Sequence, residues 1–400
     1  GVCAQSALAV IDAVRAGDIE EARTLLAGGA DARAAQGDGA TALHWAAHRD
    51  DLDAATLLLD AGADVNAANE LGATALWLAT INGSQAMVQR LLEAGGDPDV
   101  SLRMGETPLM TAARSGSVPT VERLLAYGAE VDASEFEGGQ TALMWAVAQR
   151  HADVARVLIA HGADLHARSK VTYQLENTAG NTNPTGNFRM ARGGSTALIF
   201  AARSGDVETA RVLVGAGADI DDATATGTSA LVIAAHSGHG AFGIYLLEQG
   251  ADPHAAEAGY SALHAAVLRG QVALVEALLE YGAEVDAPVE HGTPGRRFSA
   301  DFSIRHQLIG TTAFWLAAKY GEPEAVRILA EHGADPFVMS QRGTTTLQAA
   351  MGMPGSSLEG RRDRIGNEPP DATAEERMTL ELAHIILDFG VDINAADRRG

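Results

Sequence analysis

One phrase returns along the whole chain. Thr-Ala-Leu-His-Trp-Ala-Ala begins at Thr41, Thr-Ala-Leu-Trp-Leu-Ala at Thr74 and Thr-Pro-Leu-Met-Thr-Ala-Ala at Thr107, and variants recur at Thr141, Thr196, Ser229, Ser261, Thr312 and Thr345. A second phrase, Gly-Ala-Asp or a close variant, follows at Gly29, Gly62, Gly95, Gly128, Gly162, Gly217, Gly250, Gly282, Gly333 and Gly390. Most intervals are 33 residues, give or take one. A fixed period of this length means that the chain grows by stacking small units and needs no single central core, so its 400 residues do not imply two or three globular domains.

The residues of one unit say what it folds into. Thr107 can cap a helix with its hydroxyl, and Pro108 suits the first helical position, where no N–H is needed. That short helix is predicted to run to about Ser115 and to end at Gly116. A second helix follows, with Val118, Val121, Leu124 and Leu125 forming one apolar stripe and Pro119 tolerated in its first turn. Gly128 supplies the left-handed residue that closes it, and Ala129 to Ser134 form an extended connector. One helix pair cannot bury its own stripe, whereas stacked neighbours can.

This period and this Thr-x-Leu-His…Gly-Ala-Asp-Val-Asn grammar resemble the ankyrin repeat, over nearly the whole chain and in about ten units. The resemblance implies an all-α solenoid: paired antiparallel helices, short β-hairpin fingers and a curved stack. The expected organisation is a single array over 6–400 after a possible signal-peptide remnant at 1–5, with the polar Ser6–Asp31 segment as its cap. Three insertions break the period, near 169–194, 288–309 and 353–373. The first two interrupt the connectors and should emerge on the finger edge; the third splits a first helix from its second. The Pro-Pro pair and charged run of the third predict an exposed, protease-sensitive loop. At the far end, Leu382, Ile385, Ile386 and Phe389 continue a second-helix stripe that no further repeat covers.

Composition narrows the partners. The 52 acidic and 29 basic residues give a net charge of −23, which repels phosphate backbones and argues against nucleic acid. No run of eighteen apolar residues exists to insert in a membrane. Arginine supplies almost all positive charge, lysine occurring only at Lys170 and Lys319, which with abundant Ala and Gly fits a GC-rich bacterial genome. Val2-Cys3-Ala4 places small residues as a signal peptidase reads them, so a periplasmic or secreted location is expected over a cytoplasmic one.

Motifs for chemistry are sparse. Neither lysine sits in Gly-Lys-Ser/Thr, and Gly-x-Ser-x-Gly is absent, so the phosphate-loop and nucleophile-elbow readings fail. The thirteen histidines show no metal-ligand spacing, and the single Cys3 cannot build a site alone. His44 and His264 sit in the repeated phrase, where family histidines brace the hairpin, and Trp45, Trp77, Trp145 and Trp315 recur with it as core. No cofactor, metal or catalytic residue is expected. The alternatives are a ligand-binding or enzymatic site built by the first two insertions, with His291, Asp301 and His306 as its candidates, or a segment of a longer protein.

The leading expectation is a monomeric protein-binding scaffold acting as adaptor, inhibitor or stabiliser. Ankyrin arrays generally bind through the fingertips and the groove beside the first helices. At the fingertips Leu71, Met104 and Tyr260 are candidate anchors, while Leu308 and Ile309 fit better as packing residues. The two residues before the Gly ending each first helix should face the groove, and none of these positions is acidic. Six of the nine pairs carry Arg15, Arg49, Arg114, Arg203, Arg269 or Lys319, the last followed by Tyr320. Helix-dipole capping accounts for some of this, yet a row of cations would also attract an acidic segment of a protein partner.

Overall fold

We examined a computed structural model of the chain, which describes residues 2–177, 187–291, 308–341, 343–352 and 372–394. Among the described residues, twenty helices and one two-stranded antiparallel ladder make up the regular elements. The chain divides into two compact units, one formed by 1–170 with 211–218 and the other by 171–210 with 219–400.

In the first unit the helices run in pairs: α1 (Val2–Ala16) and α2 (Ile19–Ala27), α3 (Ala42–His48) and α4 (Leu52–Asp60), α5 (Ala75–Ile81) and α6 (Gln85–Glu93), α7 (Pro108–Ser115) and α8 (Val118–Ala126), α9 (Ala142–Ala148) and α10 (Ala152–Ala160). First helices pack on first helices of the next pair, and second on second. The first-helix layer is built from Ala46, Ala47, Ala79, Ala112, Ala113 and Ala146, all buried, whose small side chains let the backbones approach closely. The second-helix layer buries Leu58, Val88, Leu91, Val121, Leu124, Val154 and Leu158, each contributing about 1.5–3 kcal/mol of apolar burial. Of the stripe read from α8, Val121 and Leu124 are buried, whereas Val118 and Leu125 are half-exposed at its margins.

The second unit opens with β1 (Thr172–Asn177) and β2 (Asn187–Arg192), paired from Thr172↔Arg192 to Asn177↔Asn187. The first insertion is therefore a regular hairpin over those residues, a ladder that its Asn, Thr, Gly and Pro content had concealed. Then come α11 (Ala197–Ser204), α12 (Val207–Gly215), which the two units share, α13 (Ala230–Ser237) and α14 (Gly240–Glu248), α15 (Ala262–Leu268) and α16 (Val272–Glu280), α17 (Ala313–Tyr320) and α18 (Pro323–Glu331), α19 (Thr346–Ala350) and α20 (Ala372–Asp388). The third insertion falls between α19 and α20, as the period required; its expected loop lies outside the described residues.

One expectation at this end is corrected. Leu382 and Ile386 do not form an uncovered stripe: they are buried, because α20 turns them toward α18 and α19. Phe389 meets Phe314 edge-on at 6.4 Å and stays partly exposed, with Leu380 and Ile393.

Short helices leave most of their backbone groups unsatisfied, and the repeat resolves this at three places. At the start of most first helices a Thr or Ser caps, as Thr74 Oγ1 accepts from Trp77 N at 3.2 Å and Thr107 Oγ1 from Met110 N at 3.3 Å, whereas Thr196 before α11 makes no such bond. At its end the next repeat reaches back: Asn82 Nδ2 donates to Ala47 O and His48 O, His151 Nε2 meets Arg114 O at 3.1 Å, and in the second unit His239 Nε2 meets Arg203 O at 3.1 Å. After the second helices, Asn66 both donates to Gly95 O and accepts from Asp97 N, while Asp99 accepts from Glu130 N and Asp132 from Asp164 N.

At Gly17, Gly116 and Gly205 the reach-back adds a steric reason for glycine to the positive φ. Gly116 has φ +75°, and a Cβ there would lie 2.7 Å from the His151 ring that caps Arg114. Arg150 occupies the same place one repeat later with φ +65° and a full side chain. Replacing Arg150 by Gly should relieve left-handed strain and raise the urea midpoint, a net gain of about 0.5–1 kcal/mol after the added unfolded-state entropy. Gly116→Ala should lower it, and equal shifts for the two variants would refute this account.

Candidate protein-binding surfaces

In the first unit, successive fingers are joined through their backbones: Glu70 N donates to Asp38 O at 2.8 Å, Arg103 N to Leu71 O at 2.9 Å and Phe136 N to Met104 O at 2.8 Å. Leu71 and Met104 are 66% and 54% exposed at the tips, as expected from the sequence. Phe136, 64% exposed, joins them, its ring beside the backbone of Gly105. Sequence reasoning missed it because Phe136 takes the finger position held by Glu70 and Arg103, one before that of Leu71 and Met104, in a finger one residue longer. Three large apolar side chains on adjacent fingers differ from the scattered exposed hydrophobics of ordinary surfaces.

Beside the first helices of the same unit, the cations and the tryptophans belong to one arrangement. Arg15 lies over the Trp45 ring with 5.7 Å to its centroid, and Arg114 over Trp145 with 4.9 Å. In both cases the arginine ends one first helix and the indole belongs to the next. These tryptophans are half-buried and line the surface, with Ile81 exposed between them in the row. Such contacts contribute about 0.5–1 kcal/mol at exposed sites. Arg114 is also paired with Glu106 at 3.2 Å and Arg15 with Asp12 at 2.7 Å. Arg49 Nη1 donates to Arg15 O at 3.3 Å and makes no ion pair among the described residues.

The second unit holds the remaining candidates. Arg203 donates to Ser195 Oγ at 3.1 Å and lies over Phe200, and Arg269 Nε donates to His236 O. Lys319 rests against the Trp315 and Tyr320 rings and is only 8% exposed, so it is not the free groove cation that its position implied; Tyr320 is half-buried. Tyr260 is corrected as well. It directly precedes the Ser261 cap, where the chain turns inward as it does at Ala40 and Ala73, and it is 7% exposed against His236. Burial pushes its hydroxyl up to about 12. Leu308 is buried and Ile309 half-buried, consistent with packing. On the hairpin, Tyr173 and Leu175 share a face and are 64% and 68% exposed, with Arg189 over the Tyr173 ring.

No group of three or more His, Cys, Asp or Glu side chains could hold a metal ion among the described residues. Of the catalytic candidates, His291 is exposed, and Asp301 and His306 lie outside the described residues. His44 and His264 complete capping boxes. His264 Nδ1 accepts from Ser261 N at 3.1 Å, which leaves Nε2–H to donate to Ala287 O at 3.0 Å. Burial, only partly offset by that carbonyl, brings its pKa down to about 4, and the same cause lowers His44. Gln348 does the same work beside Thr345 without a titratable ring.

Helix pairs joined by hydrogen-bonded fingers, stacked first helix on first helix, define a helical repeat protein. The chain matches the description "Ankyrin repeats (3 copies)" over residues 10–102, 87–169, 171–257 and 198–289, and "Ankyrin repeat" over 309–341. It belongs to the ankyrin repeat family, whose repeats are generally non-catalytic protein-interaction modules. Among curated proteins it is similar to the ankyrin repeat and KH domain-containing protein mask-1 of Caenorhabditis elegans, 30% identical over 39% of this chain and 5% of that protein. It is 33% identical to the E3 ubiquitin-protein ligase KEG of Arabidopsis thaliana over 23% of this chain and 7% of that protein. It is also 33% identical to the human ankyrin repeat and SOCS box protein 6, over 26% of this chain and 20% of that protein. The chain thus spans at most a fifth of the length of these relatives.

The His264 geometry predicts a local pH dependence. Its folded pKa lies below the ordinary 6.5, so the unfolded repeat binds more protons between pH 6.5 and 4. Its stability is therefore full above pH 6.5 and lost as pH falls toward 4. Hydrogen exchange of α15 amides should show an opening free energy lower by on the order of 2 kcal/mol at pH 4.5 than at pH 7. His264→Gln should remove most of that difference, and an unchanged pH slope in the variant would count against the neutral-imidazole cap.

Proposed function

We propose that this chain is a scaffold that binds a partner protein through its finger edge and first-helix face, as an adaptor, inhibitor or stabiliser. The observation that carries the reading is the exposed apolar row Leu71, Met104 and Phe136 on three hydrogen-bonded fingers. Large apolar side chains held on rigid backbone lose little entropy on binding and make effective anchors. Beside the first helices, Arg49 and Arg114 in the first unit and, separately, Arg203, Arg269, Lys319 and Tyr320 in the second supply the polar groups, suited to an acidic segment of the partner. Because Arg114 is already balanced by Glu106 and Lys319 is buried, the electrostatic share in the first unit falls mainly on Arg49.

The test is affinity capture with the full chain and with a triple variant, Leu71→Ser, Met104→Ser and Phe136→Ser. A partner retained by the wild type should be lost at least tenfold by the variant, with the thermal midpoint unchanged within error. Arg156→Ser, on the second-helix side, should retain it. Capture that survives the triple variant would remove the fingertips from the interface.

A further inference from the structure

The first unit contains a depression of about 410 Å³ lined by Arg15, Trp45, His48 and Arg49. Its floor is the half-buried Trp45 indole, whose Nε1–H is turned aside to Gln36 Oε1 at 3.3 Å. The His48 ring stands edge-on to the indole at 6.0 Å, and Arg15 covers part of its face at 5.7 Å. No acidic side chain lines the space. Asp12 compensates Arg15 from outside it, Asp51 is used as the cap of Ala54 N, and Arg49 has a single backbone contact that occupies only one of its five N–H groups.

Two guanidinium groups and an imidazole around an aromatic floor make an unusual surface for a chain of net charge −23. It is also distinct from the second Arg-on-Trp stack, where Glu106 pairs with Arg114. Arginine fits a carboxylate through two parallel N–H donors, and a guanidinium held at a helix end is already oriented for it. An apolar or aromatic neighbour of that carboxylate would lie on the indole.

We propose that this depression is a carboxylate-binding pocket, occupied by a Glu or Asp side chain of a partner segment in which acidic and aromatic residues are adjacent. Arg49 is the main ligand, Arg15 and His48 supply further donors, and Trp45 receives the apolar neighbour. The assignment rests on the protein-binding reading above and names the chemistry of one part of that face.

The probe is a fluorescein-labelled peptide, acetyl-Gly-Phe-Glu-Glu-Phe-Gly-amide, titrated with the full chain at low and moderate salt and read by anisotropy. A second peptide carries Gln in place of both Glu residues. Wild type should bind the Glu peptide at least tenfold more tightly than the Gln peptide, with affinity falling as salt rises. Arg49→Gln keeps a donor for Arg15 O and removes the charge; it should weaken the Glu peptide about tenfold with no change in melting. Trp45→Leu should weaken both peptides, and Arg156→Gln, on the second-helix side, should stay within twofold of wild type. Equal binding of the two peptides, or full affinity in Arg49→Gln, overturns the pocket. A tenfold loss in Arg114→Gln alone moves the acidic contact to the other stack and also refutes it. If neither peptide binds while the fingertip variant still abolishes partner capture, the pocket fails and the scaffold reading stands.

Discussion

Helices of seven to nine residues cannot satisfy their own backbone, and the whole structure depends on how their ends are closed. Most first helices are closed locally at their starts by Thr or Ser hydroxyls, and several are closed at their ends by side chains of the following repeat. Asn82 on Ala47 O and His48 O, His151 on Arg114 O and His239 on Arg203 O join consecutive repeats, as do the Asn66 and Asp99 links behind the second helices. Stacking therefore completes the hydrogen bonding of each unit as well as burying its leucines. A repeat removed from its neighbours would expose an apolar stripe and orphan several carbonyls at once.

The sequence made this much of the fold legible because capping and period are local. Thr107, Pro108 and Gly116 mark a helix that occurs as Pro108–Ser115, and the same grammar locates the others. The β1–β2 hairpin was not legible: alternation in Tyr-Gln-Leu-Glu is short, and the turn residues between the strands dominate the segment. The burial of Leu382 and Ile386 was hidden for a different reason. Periodicity shows that a stripe exists but not which neighbour it faces, and here α18 and α19 suffice.

The candidate surface was legible in outline and misread in detail. Leu71 and Met104 stand out as apolar residues in turn sequence, whereas Tyr260 sits two places nearer its cap, where the chain already faces inward. The row of cations and the recurrent tryptophans look like separate features when read along one repeat. They meet only across repeats, Arg15 with Trp45 and Arg114 with Trp145, some thirty residues apart, so no window within a single unit contains both partners. Charge counting likewise sees a basic row but not that Arg114 is already balanced by Glu106.

The reach-back contacts vary among five junctions: arginine at one, asparagine at another, histidine on an arginine carbonyl at two more, and Arg269 with Gln271 on His236 O and Ala235 O. The modules look interchangeable in their shared grammar, yet most of these junctions carry a connector of different chemistry. Their order is thus encoded in the junctions, and a recombination event that joined two non-adjacent modules in perfect frame would still bring together ends that do not fit. Duplication can lengthen such a chain easily, but each new copy must then acquire its own joint, which turns a run of equal parts into a sequence of fixed places.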